Sequence, residues 1–183
     1  MAAVTTVDGP SAAARPSTRD EARRDFEEFC AAHSQGLTMQ LYAYLGDLHE
    51  AQDMAQEAFC RAYAKWSRIS QYDQPSAWVR RVAWNLATSR LRRQRTAFAF
   101  LSRQREEHMP GPGPDRVALV SALATLPPQQ RRVIVLHHMG QLTVPEIAEQ
   151  EGVPEGTVKS WLSRARTTLA ARLADDKKGT RHV

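Results

Sequence analysis

The sequence lacks most of the features that settle a class at a glance. It holds two cysteines, Cys30 and Cys60. Two lone thiols without a CxxC pair make neither a disulfide framework nor a structural zinc site, so both are expected to be reduced and structural. There is no run of about 18 apolar residues, which excludes a transmembrane helix. Residues 1–20 are mostly Ala, Thr, Ser and Pro with scattered charge, and they lack the apolar stretch of a secretory signal. The chain is expected to stay in the cytoplasm, with no membrane partner. No GxxxxGK[ST] loop, nucleophile elbow or metal-ligand spacing occurs. His137 and His138 are adjacent, so they point about 100° apart on a helix and make a poor metal pair. No stretch alternates with period two for long enough to make a strand. The helical periodicity predicts an all-α chain, and no catalytic set, metal site or cofactor motif stands out in it, so it is expected not to be an enzyme.

Lysine is scarce too. Of 25 basic residues, 21 are arginine and only four are lysine. A GC-rich codon preference accounts for much of that ratio, but not for where the charge sits. From Asp20 to Glu57 there are nine acids (Asp20, Glu21, Asp25, Glu27, Glu28, Asp47, Glu50, Asp53, Glu57) and two bases (Arg23, Arg24). From Arg80 to Arg105 there are eight arginines (80, 81, 90, 92, 93, 95, 103, 105) and no carboxylate. The net charge of +5 therefore hides two segments suited to partners of opposite charge. Arginine's planar fork fits phosphates and guanine edges.

Residues 1–20 read as a disordered leader. From Glu21 to Leu101 the pattern is helical. Phe26, Phe29, Cys30, Leu37, Leu41, Tyr44 and Leu45 recur at spacings of three and four until Gly46 breaks the run. Asp47 can cap the next helix, with Glu50 in the capping-box position. That helix carries an apolar stripe of Ala51, Met54, Ala55, Ala58, Phe59, Ala62 and Trp66. Ile69 to Pro75 reads as a loop, and Ser76 starts a further helix through Trp78, Val82, Ala83 and Leu86. Trp78 has core spacing. Residues 102–116 hold Pro110, Gly111, Pro112, Gly113 and Pro114, a density that cannot propagate a helix. They form a flexible linker between two small helical modules, 21–101 and 117–173, with a tail at 174–183.

In the second module, Thr143 and Glu146 form a capping box and Gly152 stands where a tight turn needs a positive φ. Pro154 opens a longer helix with Val158, Trp161, Leu162, Ala165 and Leu169 at helical spacing. A short helix, a glycine turn and a basic helix make a helix-turn-helix, which points Thr157, Lys159, Ser160, Ser163 and Arg164 at a major groove. An ordinary helical hairpin with solvated charges is the alternative.

At this point the chain resembles a known family. LPPQQRRVIVLHHMGQLTVPEIAEQEGVPEGTVKSWLSRARTTL, residues 126–169, is similar to region 4 of bacterial sigma factors. GDLHEAQDMAQEAFCRAYAKW, residues 46–66, resembles the region 2 helix that docks on core RNA polymerase. PSAWVRRVAWNLATSRLRRQR, residues 75–95, resembles the promoter-melting and −10-reading helices. Two modules and a short linker are the layout of extracytoplasmic-function sigma factors of the sigma-70 family.

The resemblance implies a factor that binds core RNA polymerase and directs promoter-specific initiation. It implies that Asp53, Gln56 and Glu57 meet the polymerase, and their i, i+3, i+4 spacing does put them on one helix face. It places Tyr72 and Asp73 in a loop that captures the opened −10 strand, with Asn85 facing that strand. Arg80, Arg81, Arg90, Arg92 and Arg93 would neutralise phosphates. Trp84 could stack on a base or lie in the core. The extended linker reaches about 50 Å at about 3.3–3.6 Å per residue, enough for the modules to straddle two promoter elements. Regulation by a partner such as an anti-sigma factor is expected from the family. Trp161 stands where many relatives have Arg, and Pro154 where a hydroxyl cap is common, so both bear on −35 preference. A helix-turn-helix regulator that ignores polymerase, and an adaptor that ignores DNA, remain as alternatives. The acid-and-amide face speaks against the first and the arginine run against the second.

Overall fold

The computed structural model describes residues 18–98 and 114–179, with side chains over 19–94 and 116–172. The expectations for the first 17 residues, for 99–113 and for 180–183 lie outside these. The described residues are helical, with no strand among them.

Helix α1 (Thr18–Leu45) begins inside the segment read as a leader. Asp20 and Glu21 lie in its first turn, where carboxylates favour the positive end of the helix dipole. It stops at Gly46, whose φ of +83° lets its N–H reach the Tyr42 carbonyl at 2.9 Å. Asp47 then caps α2 (Leu48–Tyr63), its Oδ1 accepting the Glu50 N–H at 2.9 Å. Helix α2 buries Ala51, Ala55, Ala58, Phe59 and Ala62. Four alanines on one face let neighbouring backbones approach closely, and α2 packs on both α1 and α4. The expected stripe to Trp66 is broken after Tyr63, and a short α3 (Trp66–Ile69) ends where the expected loop begins. Its Trp66 joins an aromatic cluster with Phe26 and Phe29 and donates its indole N–H to Asp25 at 2.9 Å. Helix α4 (Pro75–Phe98) completes the first module.

The second module starts earlier than its expected boundary. Helix α5 (Pro114–Ala124) takes in Pro114 to Arg116, because proline is tolerated in a first helical turn. Helix α6 (Pro128–His138) buries Arg131 and Arg132 together with Val133, Ile134, Val135 and Leu136. Helix α7 (Val144–Glu151) buries Ile147 and Ala148, and α8 (Glu155–Gly179) buries Val158, Leu162 and Ala165. Both α6 and α7 pack against α8.

The two modules are not held apart in this arrangement. Helix α1 also packs against α5 and α6. Arg131 reaches across to donate to the Tyr44 carbonyl at 2.9 Å, while its other nitrogen donates to the Ala124 carbonyl at 2.8 Å. One guanidinium thus ties the C-terminal end of α1 to the α5–α6 turn.

Candidate nucleic-acid interface

Three surfaces carry the residues singled out from the sequence. The first is the outer face of α2. Asp53, Gln56 and Glu57 are all exposed, opposite the alanine stripe. Glu57 accepts from Arg61 Nε at 2.7 Å, one turn on. Both partners are half-exposed, so solvent screens the pair and a binding partner can replace it. Glu50 does not close the capping box on Asp47. Its carboxylate instead accepts from Arg90 (Nη2 at 2.7 Å, Nε at 3.1 Å) and from Gln94 at 2.7 Å. Two donors on α4 outcompete one backbone N–H.

The second surface is α4 with the loop before it. Tyr72 and Asp73 are exposed at the loop, with the Arg68 guanidinium 5.9 Å from the Tyr72 ring centre. Asn85, Arg92 and Arg93 are exposed along α4. Arg93 Nε also donates to the Ser89 carbonyl at 3.3 Å. Arg90 is exposed too and pairs with Glu50, which raises its pKa first through the hydrogen bond and then through the opposite charge. Arg80 is partly buried, and burial pushes its guanidinium below the ordinary value while Glu146 pulls the other way. Arg80 Nε donates to Gln150 at 3.2 Å, and Arg81 lies 3.5 Å from Glu149.

Trp84 departs most from a base-stacking role. It is 0% exposed. Tyr44 packs on it at 4.9 Å, and the Arg132 guanidinium lies 5.4 Å from its ring centre. In this arrangement no base can reach it. Trp78 packs half-buried against the core, as its spacing suggests.

The third surface is the helix-turn-helix. The capping box forms in full. Thr143 donates its N–H to Glu146 at 2.8 Å, and its hydroxyl accepts the Glu146 N–H at 3.4 Å. The side-chain hydrogen bond from Thr143, then the backbone one, holds the Glu146 carboxyl below the usual carboxylate range. Gly152 has φ +67° and Val153 N–H reaches the Ala148 carbonyl at 3.1 Å. Pro154 contributes no hydroxyl, but its carbonyl accepts from Thr157 at 2.9 Å and Val158 at 3.3 Å and so begins the α8 hydrogen-bond ladder. Lys159, Ser163 and Arg164 are exposed, and Thr157 and Ser160 half-exposed, on the side of α8 away from Val158 and Leu162. Lys159 pairs with Glu155 at 3.3 Å. Trp161 packs partly buried against the module core.

The His137 and His138 rings lie edge to face, 4.9 Å apart. His137 Nδ1 donates to the Leu142 carbonyl at 2.8 Å. No group of three or more metal-ligating side chains occurs among the described residues. Burial pushes the Cys30 thiol up and nearby Cys60 adds to it, so Cys30 is a poor thiolate.

The residues missed from the sequence are Arg131, Arg132, Thr88, Gln150 and Glu151. Arg132 donates to the Thr88 hydroxyl on α4, and its Nε lies 2.8 Å from Glu151. Burial pushes the Glu151 carboxyl up despite that partner. The signal was there in RRVIVL, where two arginines head an otherwise apolar buried helix turn.

Comparison with known proteins agrees with this layout. The family description "Sigma-70 region 2" matches residues 30–97 and "Sigma-70, region 4" matches residues 116–169. An RNA polymerase sigma-E factor of Streptomyces avermitilis is 32% identical over 157 residues, covering 81% of this chain and 85% of that one. The ECF RNA polymerase sigma factor SigW of Bacillus subtilis is 32% identical over 151 residues, covering 73% and 81%. In fold, the chain is similar to the sigma factor RpoE of Bartonella quintana, solved with the anti-sigma factor NepR. That match has a TM-score of 0.70 at 23% identity, covering 82% of this chain and 98% of that one. With both regions matched in order and relatives 32% identical over most of the chain, the chain belongs to the extracytoplasmic-function group of the sigma-70 family of RNA polymerase sigma factors.

Proposed function

We propose that Asp53, Gln56 and Glu57 dock on core RNA polymerase, that α4 with Tyr72 and Asp73 holds the opened −10 strand, and that Thr157, Lys159, Ser160, Ser163 and Arg164 read the −35 duplex. The observation that carries this reading is the division of labour across α2 and α4. An acid-and-amide face is open to solvent on one helix, and an arginine-rich face without a carboxylate lies on the next. Acid suits a basic protein surface, and arginine suits phosphate. Asn85 adds an exposed donor and acceptor for a base edge. The protein performs no chemistry of its own, acts in the cytoplasm, and needs no cofactor. The sigma factor RpoE was solved with the anti-sigma factor NepR, which supports control of this chain by a protein of that kind.

In vitro transcription tests the assignment, using purified core polymerase and genomic fragments. Promoter-specific transcripts that require this protein are the expected result. Duplex binding without any polymerase-dependent transcript would overturn it in favour of a simple helix-turn-helix regulator.

A further inference from the structure

We propose that Glu50 of α2 is a positioning residue for the opened −10 strand: it grips one edge of the Arg90 guanidinium and so presents the other edge to a phosphate. This rests on the strand-binding reading of α4 given above and adds to it a residue of the neighbouring helix.

Three N–H groups from α4 converge on a single oxygen. Arg90 Nη2 and Nε reach Glu50 Oε1 at 2.7 and 3.1 Å, and Gln94 Nε2 reaches it at 2.7 Å. Arg90 and Gln94 are four residues apart, so they stand side by side on the helix. A carboxylate only accepts, so Gln94 must turn its amide nitrogen to Glu50, and Arg90 must meet it along the Nε edge of its fork. The Glu50 side chain is 19% exposed and that of Arg90 45%. The acid is covered by its donors, and the cation stands outside it.

A guanidinium carries five N–H donors in one rigid plane. Two of them meet Glu50. The terminal edge, Nη1 with the outer N–H of Nη2, still offers two parallel donors, the pattern that takes a phosphate. A loose arginine on a helix surface loses rotamer freedom when it binds. Arg90 has given up much of that freedom in the fold, before any DNA arrives. Arg93, three residues on, is exposed on the neighbouring ridge, so an aimed Arg90 extends a row of phosphate contacts along α4.

Charge gives the test its sign. Removing an acid beside a polyanion site ordinarily tightens nucleic-acid binding. A positioning role demands the reverse. The test uses the full chain and a fluorescent single-stranded DNA of mixed sequence, about 15 nucleotides long, titrated over a series of salt concentrations. Glu50→Ala should weaken binding about threefold or more, because one rotamer-rich side chain must now be ordered on binding. Glu50→Gln keeps an acceptor of the same reach and should bind at least as tightly as the native chain. Arg90→Ala should lower the slope of log affinity against log salt by about 0.7, the share of one phosphate on a single strand. In that background Glu50→Ala should weaken binding no further. Thermal unfolding follows every variant. Should Glu50→Ala not fold, Glu50→Asp, which keeps the charge but falls one methylene short, takes its place with the same expected loss. If the Glu50 variant binds as tightly as the native chain or tighter, while Arg92→Ala/Arg93→Ala weakens binding, Glu50 is a counter-charge only and the strand reading stands without it. Weaker binding by Glu50→Ala and Arg90→Ala with an unchanged salt slope would make the pair a brace between helices, which also overturns the proposal. If none of the α4 arginines changes affinity or slope, the strand reading fails and the proposal falls with it.

Discussion

Helices α2 and α4 belong to one module, and each carries a charged face, but the two faces meet their surroundings differently. The α2 face of Asp53, Gln56 and Glu57 points to solvent, and Glu57 pairs with Arg61 within the same helix. The α4 face has its arginines taken up from two sides. Arg90 is held by Glu50 of α2, and Arg80 and Arg81 are met by Gln150 and Glu149 of α7. A run of like charge in the sequence therefore says where a polyanion could bind. Only the packing says how much of that charge is available.

The difference can be broken or sharpened by mutation. The largest effect is expected from Leu136→Ala, which empties a fully buried site in α6 and should cost about 2–5 kcal/mol. Loosening α6 removes the cover of α4 and leaves α2 alone. Hydrogen exchange should accelerate in α4 more than in α2, and equal acceleration would collapse the distinction between the faces. Next comes Asp53→Lys/Glu57→Lys, expected to weaken core polymerase binding about 100-fold, as truncating central charge contacts does elsewhere. Duplex binding by the helix-turn-helix should not change. Unchanged polymerase affinity in a competition assay would strip α2 of its role.

Asn85→Ala should slow promoter opening about tenfold, the loss expected for one polar base contact. Pre-melted templates should restore activity, and failure of that rescue would remove Asn85 from the strand face. Thr143→Ala should cost the α7 cap about 1 kcal/mol in thermal unfolding. The smallest effect is an acid one. Because Glu146 titrates below its ordinary range when folded, its contribution is complete above that range and is lost as pH falls through the depressed value. A pH series of melting curves should show this loss in the native chain and a smaller one in Thr143→Ala, which keeps the backbone N–H that donates to Glu146.

Local signals were the legible ones. The Asp47 cap, the Thr143–Glu146 box, the Gly152 turn and the alanine stripe of α2 all depend on residues within one or two turns of each other, and all are found. The helix-turn-helix and the exposed Asp53–Gln56–Glu57 face follow from them. What was not legible depends on partners far along the chain. Arg90 reads as a free phosphate contact until Glu50, forty positions away, is brought beside it. Trp84 fits core spacing and stacking equally well, and a residue of the other module covers it. Arg131 and Arg132 look like surface charge at the head of an apolar run, yet carbonyls, a hydroxyl and a carboxylate from distant segments make them part of the interior. The helix starts at Thr18 and Pro114 were missed by a few residues, as helix ends commonly are.

The grip of Glu50 on Arg90 and Gln94 has a further consequence. It couples the helix proposed to dock on polymerase to the helix proposed to hold the melted strand, side chain against side chain. The two then work as the jaws of a fixed caliper. If both proposed roles hold, the distance from the α2 seat on the enzyme to the strand face of α4 is set by this packing.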